Sequence, residues 1–189
     1  MVSARHEGSA QFHVTPAVPG YRNEVECVPA DVPYVPQRPK RRSEQVCLTA
    51  TVIGPGGDDI HVNDRGEIKV QFHWDRDGRM NEHSSCWIRV MHNWSGAGWG
   101  FQFIPRIGME VVVGFLAGDV DRPVILGAVN NAEHPVSFPL PEHKTKSGIR
   151  TNTSRGGGGY NELRFEDLAG SEEIFLHAQR DLNEIVNHD

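Results

Sequence analysis

Hydrophobic and polar residues alternate along the middle of the chain. In the run Ile68–Trp74 (IKVQFHW) the apolar residues occupy every second position, which is the period of a half-buried strand. Similar short runs occupy Leu48–Ile53, Cys86–Val90, Phe101–Ile104, Glu110–Leu116 and Val124–Val129. Turn residues separate these runs, and none of them has the length and period of an amphipathic helix. About five or six short strands predict an all-β fold, a small OB-fold barrel.

The same alternation predicts which side chains form the barrel core. The residues expected inside are Val70, Phe72, Trp74, Trp87, Val112 and Ile125. Because Val112 lies within a continuous apolar run, we expect Val112→Asp to place an unpaired charge in the interior and unfold the barrel.

Prolines divide the chain. Six of its 12 prolines lie in the first 44 residues, and a second cluster comprises Pro135, Pro139 and Pro141. Proline removes a backbone donor, so residues 1–44 are predicted to be an extended, Pro-rich segment and linker. Its basic cluster, Lys40-Arg41-Arg42, is interpreted as part of this solvated linker. The barrel is expected at 45–134, a second linker at 135–155 and a separate tail at 156–189.

The tail contains two further alternating runs, Leu163–Phe165 and Ile174–Ala178. Burial of its few large apolar side chains offsets only part of the entropy lost on ordering the backbone. We therefore expect the tail to pack against other chains through Leu163, Phe165, Ile174 and Leu176. Residues 179–189 fit a helix face as well as a strand.

Charge and cysteine content narrow the class of protein. The 189 residues carry a formal charge of −6, which disfavours a nucleic-acid or anionic-membrane partner. No apolar run approaches the ~18 residues of a membrane span, and no signal peptide opens the sequence, so classical secretion is not expected. The three cysteines are scattered and odd in number, which is typical of a reducing compartment rather than a disulfide framework.

Several residue sets have the chemistry of a site without its spacing. One set has zinc-type ligands in no standard ligand pattern, and surface histidines are the favoured interpretation: His73, His83, Cys86 and His92. Two carboxylate pairs stand beside glycine or proline, where aspartate is expected to support turns: Asp75 with Asp77, and Asp119 with Asp121. The run Gly156–Gly159 lacks the Lys-Ser/Thr of a phosphate loop and is interpreted as a flexible joint. We assign no catalytic, cofactor-binding or metal-binding residue.

Aromatic residues leave one alternative function open. An OB-fold barrel can stack single-stranded bases or sugars on side chains such as Trp74, Trp87, Trp94, Trp99 and Phe101. Residues 45–134, however, contain more acidic than basic side chains, and a phosphate-binding face needs local positive charge. The tryptophans are therefore favoured as core and contact residues, and a binding module for single-stranded nucleic acid or oligosaccharide remains the alternative.

Six sequence blocks together resemble the VgrG spike proteins of type VI secretion. They are DRGEIKVQFHWD (64–75), SSCWIRV (84–90), GWGFQFIPRIGMEVVV (98–113), GDVDRPVILG (118–127), KSGIRT (146–151) and NELRFED (161–167). The resemblance also includes ECVPADVP (26–33) and extends over nearly the whole chain.

This resemblance implies a structural role in a phage-tail-like puncturing spike. Residues 1–44 would end the domain that adapts the spike to its tube, 45–134 would be the OB-fold neck, and 156–189 would begin an intertwined triple β-helix. The implied partners are two further copies in a homotrimer, a tube of haemolysin-coregulated protein, a PAAR tip protein and effector proteins. The implied location is the bacterial cytoplasm before firing and the target cell afterwards, without stable membrane insertion. Phage relatives carry a lysozyme domain, so an enzyme is a further alternative, but only a Pro-rich linker follows the barrel here.

Overall fold

The structure, a computed structural model, describes residues 3–8, 21–33, 35 and 46–188. These residues form ten β-strands and one short 3-10 turn at Leu116–Gly118, and the described part of the chain contains no α-helix. The chain divides into two compact units, Met1–Arg42 and Ser43–Asp189. The prediction of an all-β fold is confirmed.

The first unit contains a β-hairpin in the range expected to be extended. Strand β1 (Ser3–Gly8) pairs with β2 (Tyr21–Glu26) in antiparallel register, with Ser3 opposite Glu26. The extended segment predicted here is paired into a hairpin over these residues. The prolines of this region lie between and after the two strands in the sequence, so every ladder position keeps its backbone donor. The basic cluster at 40–42 lies outside the described residues.

The second unit begins with a five-stranded sheet. Its strands are β3 (Leu48–Ile53), β4 (Lys69–Phe72), β5 (Arg89–Val90), β6 (Glu110–Phe115) and β7 (Pro123–Val129). Their order in the sheet is β4-β3-β6-β7-β5. A bridge between Ile68 and Ile88, with N···O distances of 3.0 and 2.8 Å, joins the two ends of this order. The sheet therefore curls round into a small barrel, and pairing of its end strands reduces the exposed sheet edge.

Two of the expected strands differ from the observed ones. Phe101–Ile104 has no regular structure, and the strand expected at Cys86–Val90 is reduced to Arg89–Val90. In β6 the register shifts between Val112 and Val113, the signature of a β-bulge, which bends a strand where a small barrel needs curvature.

The barrel interior is a cluster of eight aliphatic residues, each no more than 1% exposed. They are Ala50, Val52, Ile68, Val70, Ile88, Val111, Val113 and Ile125. Successive side chains of a strand point to opposite faces, so each strand contributes every second residue. Complete burial stabilises the fold by roughly 1.5–3 kcal/mol for each valine or isoleucine.

The structure places the six expected core residues in different environments. Val70 and Ile125 are fully buried, and Phe72 is partly buried against the cluster. Trp74 is 68% exposed, so its assignment to the core is wrong. Strand β4 ends at Phe72 and the chain turns, which places Trp74 outside the barrel, stacked on Phe72 with ring centroids 5.6 Å apart.

Trp87 and Val112 are only half-buried. Trp87 packs at the barrel surface, where Lys69 Nζ lies 4.9 Å from its ring centroid. Val112 lies on the face of β6 opposite to Val111 and Val113, which are fully buried. A continuous apolar run does not reveal which of its two faces points inward, and Val112 is not among the fully buried residues of the core.

A separate three-stranded antiparallel sheet follows the barrel. It consists of β8 (Lys146–Arg150), β9 (Glu162–Glu166) and β10 (Glu173–His177) in the order β10-β9-β8. Strand β8 lies inside the range expected to be a linker, 135–155, so that expectation is wrong for these five residues. Ile149 is the only large apolar residue in β8, which left the strand without a recognisable alternation. Residues 179–188 form neither the helix nor the strand that their pattern allowed.

Candidate assembly surface

The C-terminal sheet collects apolar side chains on one face. Paired residues of neighbouring strands share a face, and so do residues two apart along each strand. This face contains two cross-strand rows, Ile149, Leu163 and Leu176 in one and Ser147, Phe165 and Ile174 in the other. We call these six residues the apolar face.

The apolar face is exposed in the single chain. Ile174 is 75% exposed, Leu176 60% and Ile149 45%, and even the central-strand residues Leu163 and Phe165 are 39% and 38% exposed. Isolated exposed apolar residues are common on proteins, but a contiguous exposed set marks an interaction surface. The four residues expected to pack between chains all belong to this face.

The opposite face of the same sheet is charged. Glu162, only 4% exposed, lies 2.6 Å from Nη1 of Arg164 and 3.5 Å from Nε of Arg150. Nη2 of Arg164 also donates to Glu173 at 2.8 Å. The hydrogen bond to Glu173, followed by the bond and charge of Glu162, raises the pKa of Arg164 above its ordinary value. Arg164 thus links Glu162 and Glu173 into one network.

Aromatic rings cover the charged face. The guanidinium of Arg150 lies 3.9 Å from the ring centroid of Tyr160, and that of Arg164 lies 4.1 Å from the ring of Phe175. His177 stacks on Tyr160 with centroids 4.6 Å apart. The sheet therefore pairs its charged side chains with one another and leaves its apolar face exposed to water, the reverse of a self-sufficient domain.

The end of the described chain extends this apolar character. Leu182, Ile185 and Val186 are 67%, 81% and 67% exposed, and no strand or helix contains them. Gln179 is tied to the sheet: its backbone amide donates to Oδ1 of Asn161, and its Oε1 accepts from the Tyr160 backbone amide. Beyond it, apolar side chains occur without a surface on which to pack in the single chain.

A second exposed feature is a row of four aromatic residues on the barrel. Trp94 lies edge-on to Trp99 at 5.1 Å and 6.4 Å from Phe101, which stacks on Phe103 at 6.0 Å between centroids. All four are between 47% and 59% exposed. The tight turn that folds this row requires Gly100, whose φ is 123° and where any side chain would collide with the Trp94 carbonyl. These residues are surface residues rather than core.

The other candidate sets have the structural roles of surface and turn residues. Among the described residues, no group of three or more His, Cys, Asp or Glu is placed to hold a metal ion. Asp75 and Asp119 each accept the backbone amide two residues on, at 3.2 and 3.1 Å, which is the aspartate turn geometry. Gly156–Gly159 belongs to the loop between β8 and β9, in which the Thr153 amide donates to the Gly159 carbonyl at 2.8 Å. No helix in the described ranges has the length and apolarity required to span a bilayer.

Two family models match this chain. Residues 58–129 match the type VI secretion system/phage-baseplate injector OB domain, which includes most of the barrel. Residues 147–189 match the bacteriophage T4 gp5 C-terminal trimerisation domain, which includes the C-terminal sheet and its apolar face. The second match begins within β8, inside the range that proline content had assigned to a linker.

Curated relatives extend the likeness over most of the chain. The spike protein VgrG4b of Pseudomonas aeruginosa is 49% identical over 172 residues, which are 90% of this chain and 21% of that protein. The spike protein VgrG3 of Vibrio cholerae is 42% identical over 193 residues, 100% of this chain and 19% of that protein. The actin cross-linking toxin VgrG1 of Vibrio cholerae is 43% identical over 169 residues, 89% and 15% respectively.

This chain therefore spans about a fifth of the length of the first two relatives and less of the third. The matched part contains the barrel and the three-stranded sheet, so the relatives' names apply to much longer proteins. Two consecutive domain matches and high identity over nearly the whole chain agree with the observed fold. The chain is thus similar over nearly its whole length to the VgrG spike proteins of type VI secretion, and its barrel and C-terminal sheet match an injector OB domain and a trimerisation domain.

Proposed function

We propose that this chain is a structural part of the puncturing spike of a type VI secretion system, forming the OB-fold neck and the first part of a three-chain β needle. The observation that carries the proposal is the exposed apolar face of the C-terminal sheet. A face of five large apolar side chains in water is unfavourable, and burial against two further copies would recover roughly 25 cal/mol for each Å² removed from water. The match to a trimerisation domain supports three copies as the assembly.

The division of the chain follows from this role. Residues 45–134 would form the neck, and residues from β8 onward would enter the needle. Residues 1–44 would end a domain that adapts the spike to its tube. The further partners proposed on the family resemblance are the tube of haemolysin-coregulated protein, a PAAR tip protein and effector proteins.

The proposed role is mechanical and involves no catalysis by these residues. Relatives bear the name of spike proteins, and one bears the name of an actin cross-linking toxin, a protein of which this chain matches 15%. The proposed location follows from the same role, namely assembly in the bacterial cytoplasm and then delivery into a target cell, without stable insertion in a membrane.

Substitutions on the apolar face test the trimer. We expect the double variant Leu163→Asp with Ile174→Asp to sediment as a monomer, because burial of six introduced carboxylates in a three-chain core is prohibitive. The barrel core lies elsewhere, so the variant should keep the barrel's near-ultraviolet circular dichroism. A matched control is Val120→Asp, which changes a 58% exposed apolar residue of the barrel. The proposed trimer would be refuted if the double variant retained trimers, or if the Val120→Asp control lost them to the same extent.

The aromatic row supports one alternative function, a binding module for single-stranded nucleic acid or oligosaccharide. Exposed tryptophan and phenylalanine rings can stack bases or sugars. Residues 91–105 contain no Lys or Arg to neutralise phosphate, so nucleic acid is the weaker of the two ligands. Fluorescence polarisation with a labelled oligonucleotide and a labelled chitooligosaccharide separates the functions, and the spike role predicts no binding of either at low salt.

A further inference from the structure

The loop between β8 and β9 lies against the barrel. The hairpin stem is closed by Thr151 and Asn161, whose backbone N···O distance is 2.9 Å, and its tip by Thr153 and Gly159 at 2.8 Å. Ser154 and Arg155, at the outer end of this loop, lie about 95 residues along the chain from their barrel partner. The contact therefore joins two sheets that are otherwise separate in strand order.

One carboxylate receives this loop. Asp59 Oδ1 accepts the hydroxyl of Ser154 at 2.9 Å, and its Oδ2 accepts the backbone amide of Arg155 at 2.9 Å. The Arg106 guanidinium lies 3.6 Å from the same Oδ2. The Asp59 backbone is fixed in turn, because its carbonyl accepts the Ile107 amide at 3.0 Å. Both carboxylate oxygens are thus used to hold one loop.

The loop conformation suits this capture. Arg155 has a φ of 59°, a left-handed conformation that costs a non-glycine residue free energy unless contacts hold it. Its amide is directed at Oδ2 of Asp59 in that conformation, and Gly156 continues in the same region with a φ of 70°. Of the two donors on the loop, the Arg155 backbone amide is independent of side-chain identity, whereas the Ser154 hydroxyl and the Asp59 carboxylate both depend on it.

We infer that Asp59 is the positioning residue of the joint between the barrel and the C-terminal sheet: its carboxylate captures the β8–β9 loop and fixes the sheet's orientation on the barrel. In a spike this joint would carry axial load from neck to needle. The inference itself does not rest on the proposed function, since it concerns contacts within one chain.

The charges around the joint favour the ionised carboxylate. Arg106 and Arg155 are the cations nearby, and Asp58, whose Oδ1 lies 3.8 Å from Nη2 of Arg155, is the neighbouring acid. The hydrogen bonds from the Arg155 amide and from Ser154 hold the pKa of Asp59 below its ordinary value. A lowered pKa in the closed joint means that closure is favoured fully above the ordinary aspartate pKa of about 3.9 and is lost as the pH falls through the lowered pKa.

Amide hydrogen exchange of the full chain, followed by NMR, tests the joint. We expect Asp59→Ala to speed exchange of the Arg155 amide roughly five- to tenfold, since a charge-assisted acceptor is lost, and to leave the barrel amides of Val52 and Val70 unchanged. In Asp59→Asn the Arg155 amide should exchange at a rate between those in the parent and in Asp59→Ala, because the side-chain oxygen of asparagine can still accept its hydrogen bond. A matched control is Asp64→Ala, which removes an exposed carboxylate from the same inter-strand segment.

Two outcomes would overturn the inference. One is an Arg155 amide that exchanges in Asp59→Ala as slowly as in the parent. The other is acceleration by the same factor in Asp64→Ala or Asp59→Asn, which would assign the effect to net charge rather than to the acceptor. Light scattering on the same samples reports the oligomeric state separately, so a failed trimer and a failed joint are distinguishable.

Discussion

The barrel and the C-terminal sheet use similar residues in opposite ways. In the barrel, eight aliphatic side chains are turned inward and are no more than 1% exposed. In the sheet, side chains of the same kind point into water, and the best-buried residue is a glutamate, Glu162. Both regions are antiparallel in most of their pairings and alternate along each strand, so secondary structure does not explain the difference.

Closure explains the difference. The barrel joins its end strands through Ile68 and Ile88 and so encloses its apolar side within one chain. Three strands cannot enclose a core. The sheet covers only its charged side, on which the rings of Tyr160 and Phe175 pack. The apolar side is left exposed, and we propose that further copies cover it. A self-contained domain and an assembly segment thus differ in topology more than in composition.

The largest expected effect comes from a charge in the closed core. Val113→Asp should unfold the barrel, with a loss of more than about 4 kcal/mol in the free energy of unfolding, because the introduced carboxylate has no partner at a fully buried position. Val112→Asp, at the half-buried neighbouring position, should cost less than half as much. Urea unfolding followed by tryptophan fluorescence measures both. Equal losses would contradict the assignment of inward and outward faces in β6.

A smaller effect is expected from the charged face of the sheet. Glu162→Gln removes the carboxylate shared by Arg150 and Arg164, which should weaken the sheet by about 1–3 kcal/mol while the barrel is unaffected. Amide exchange in β8–β10 relative to β3–β7 measures the difference. Glu184→Gln, which changes an exposed residue of the tail, serves as the control and should leave both regions as they are. An unaltered sheet in Glu162→Gln would show that this network does not hold the charged face.

The smallest effect is expected at Trp74. Although it is the largest type of side chain, it is 68% exposed, and its ring contact among the described residues is with Phe72. Trp74→Ala should therefore cost less than about 1 kcal/mol, whereas Ile88→Ala in the core should cost about 2–5 kcal/mol. Thermal unfolding of both variants measures the two stability losses. A larger loss in Trp74→Ala than in Ile88→Ala would contradict the placement of Trp74 outside the core.

The barrel could be predicted from sequence as far as local alternation allowed. Leu48–Ile53 was predicted with its observed bounds, and the strands at β6 and β7 within a residue or so. Trp74 was misplaced because alternation continues in the sequence past the point where β4 ends and the chain turns. Val112 was misplaced because a run of three valines has no visible polar face. The bridge that closes the barrel links residues 20 apart and has no local signature.

The assembly surface was predictable for a different reason. Leu163, Phe165, Ile174 and Leu176 alternate with charged or aromatic residues, so their common face could be read from the sequence. Ile149 was missed because β8 contains one large apolar residue among small and charged ones. The contact between Asp59 and the β8–β9 loop could not be predicted from the sequence. Asp59 and Ser154 have no sequence pattern that connects them, and only the fold brings Oδ1 and Oγ within 2.9 Å.

The mass of the unmodified chain in solution tests most directly whether the apolar face belongs between copies. Multi-angle light scattering at micromolar concentration should give three times the 21.1 kDa chain mass, with that mass maintained on dilution. A stable 21.1 kDa particle whose β8–β10 amides are as protected as those of the barrel would contradict the account, because the sheet would then be ordered without any other copy to cover it.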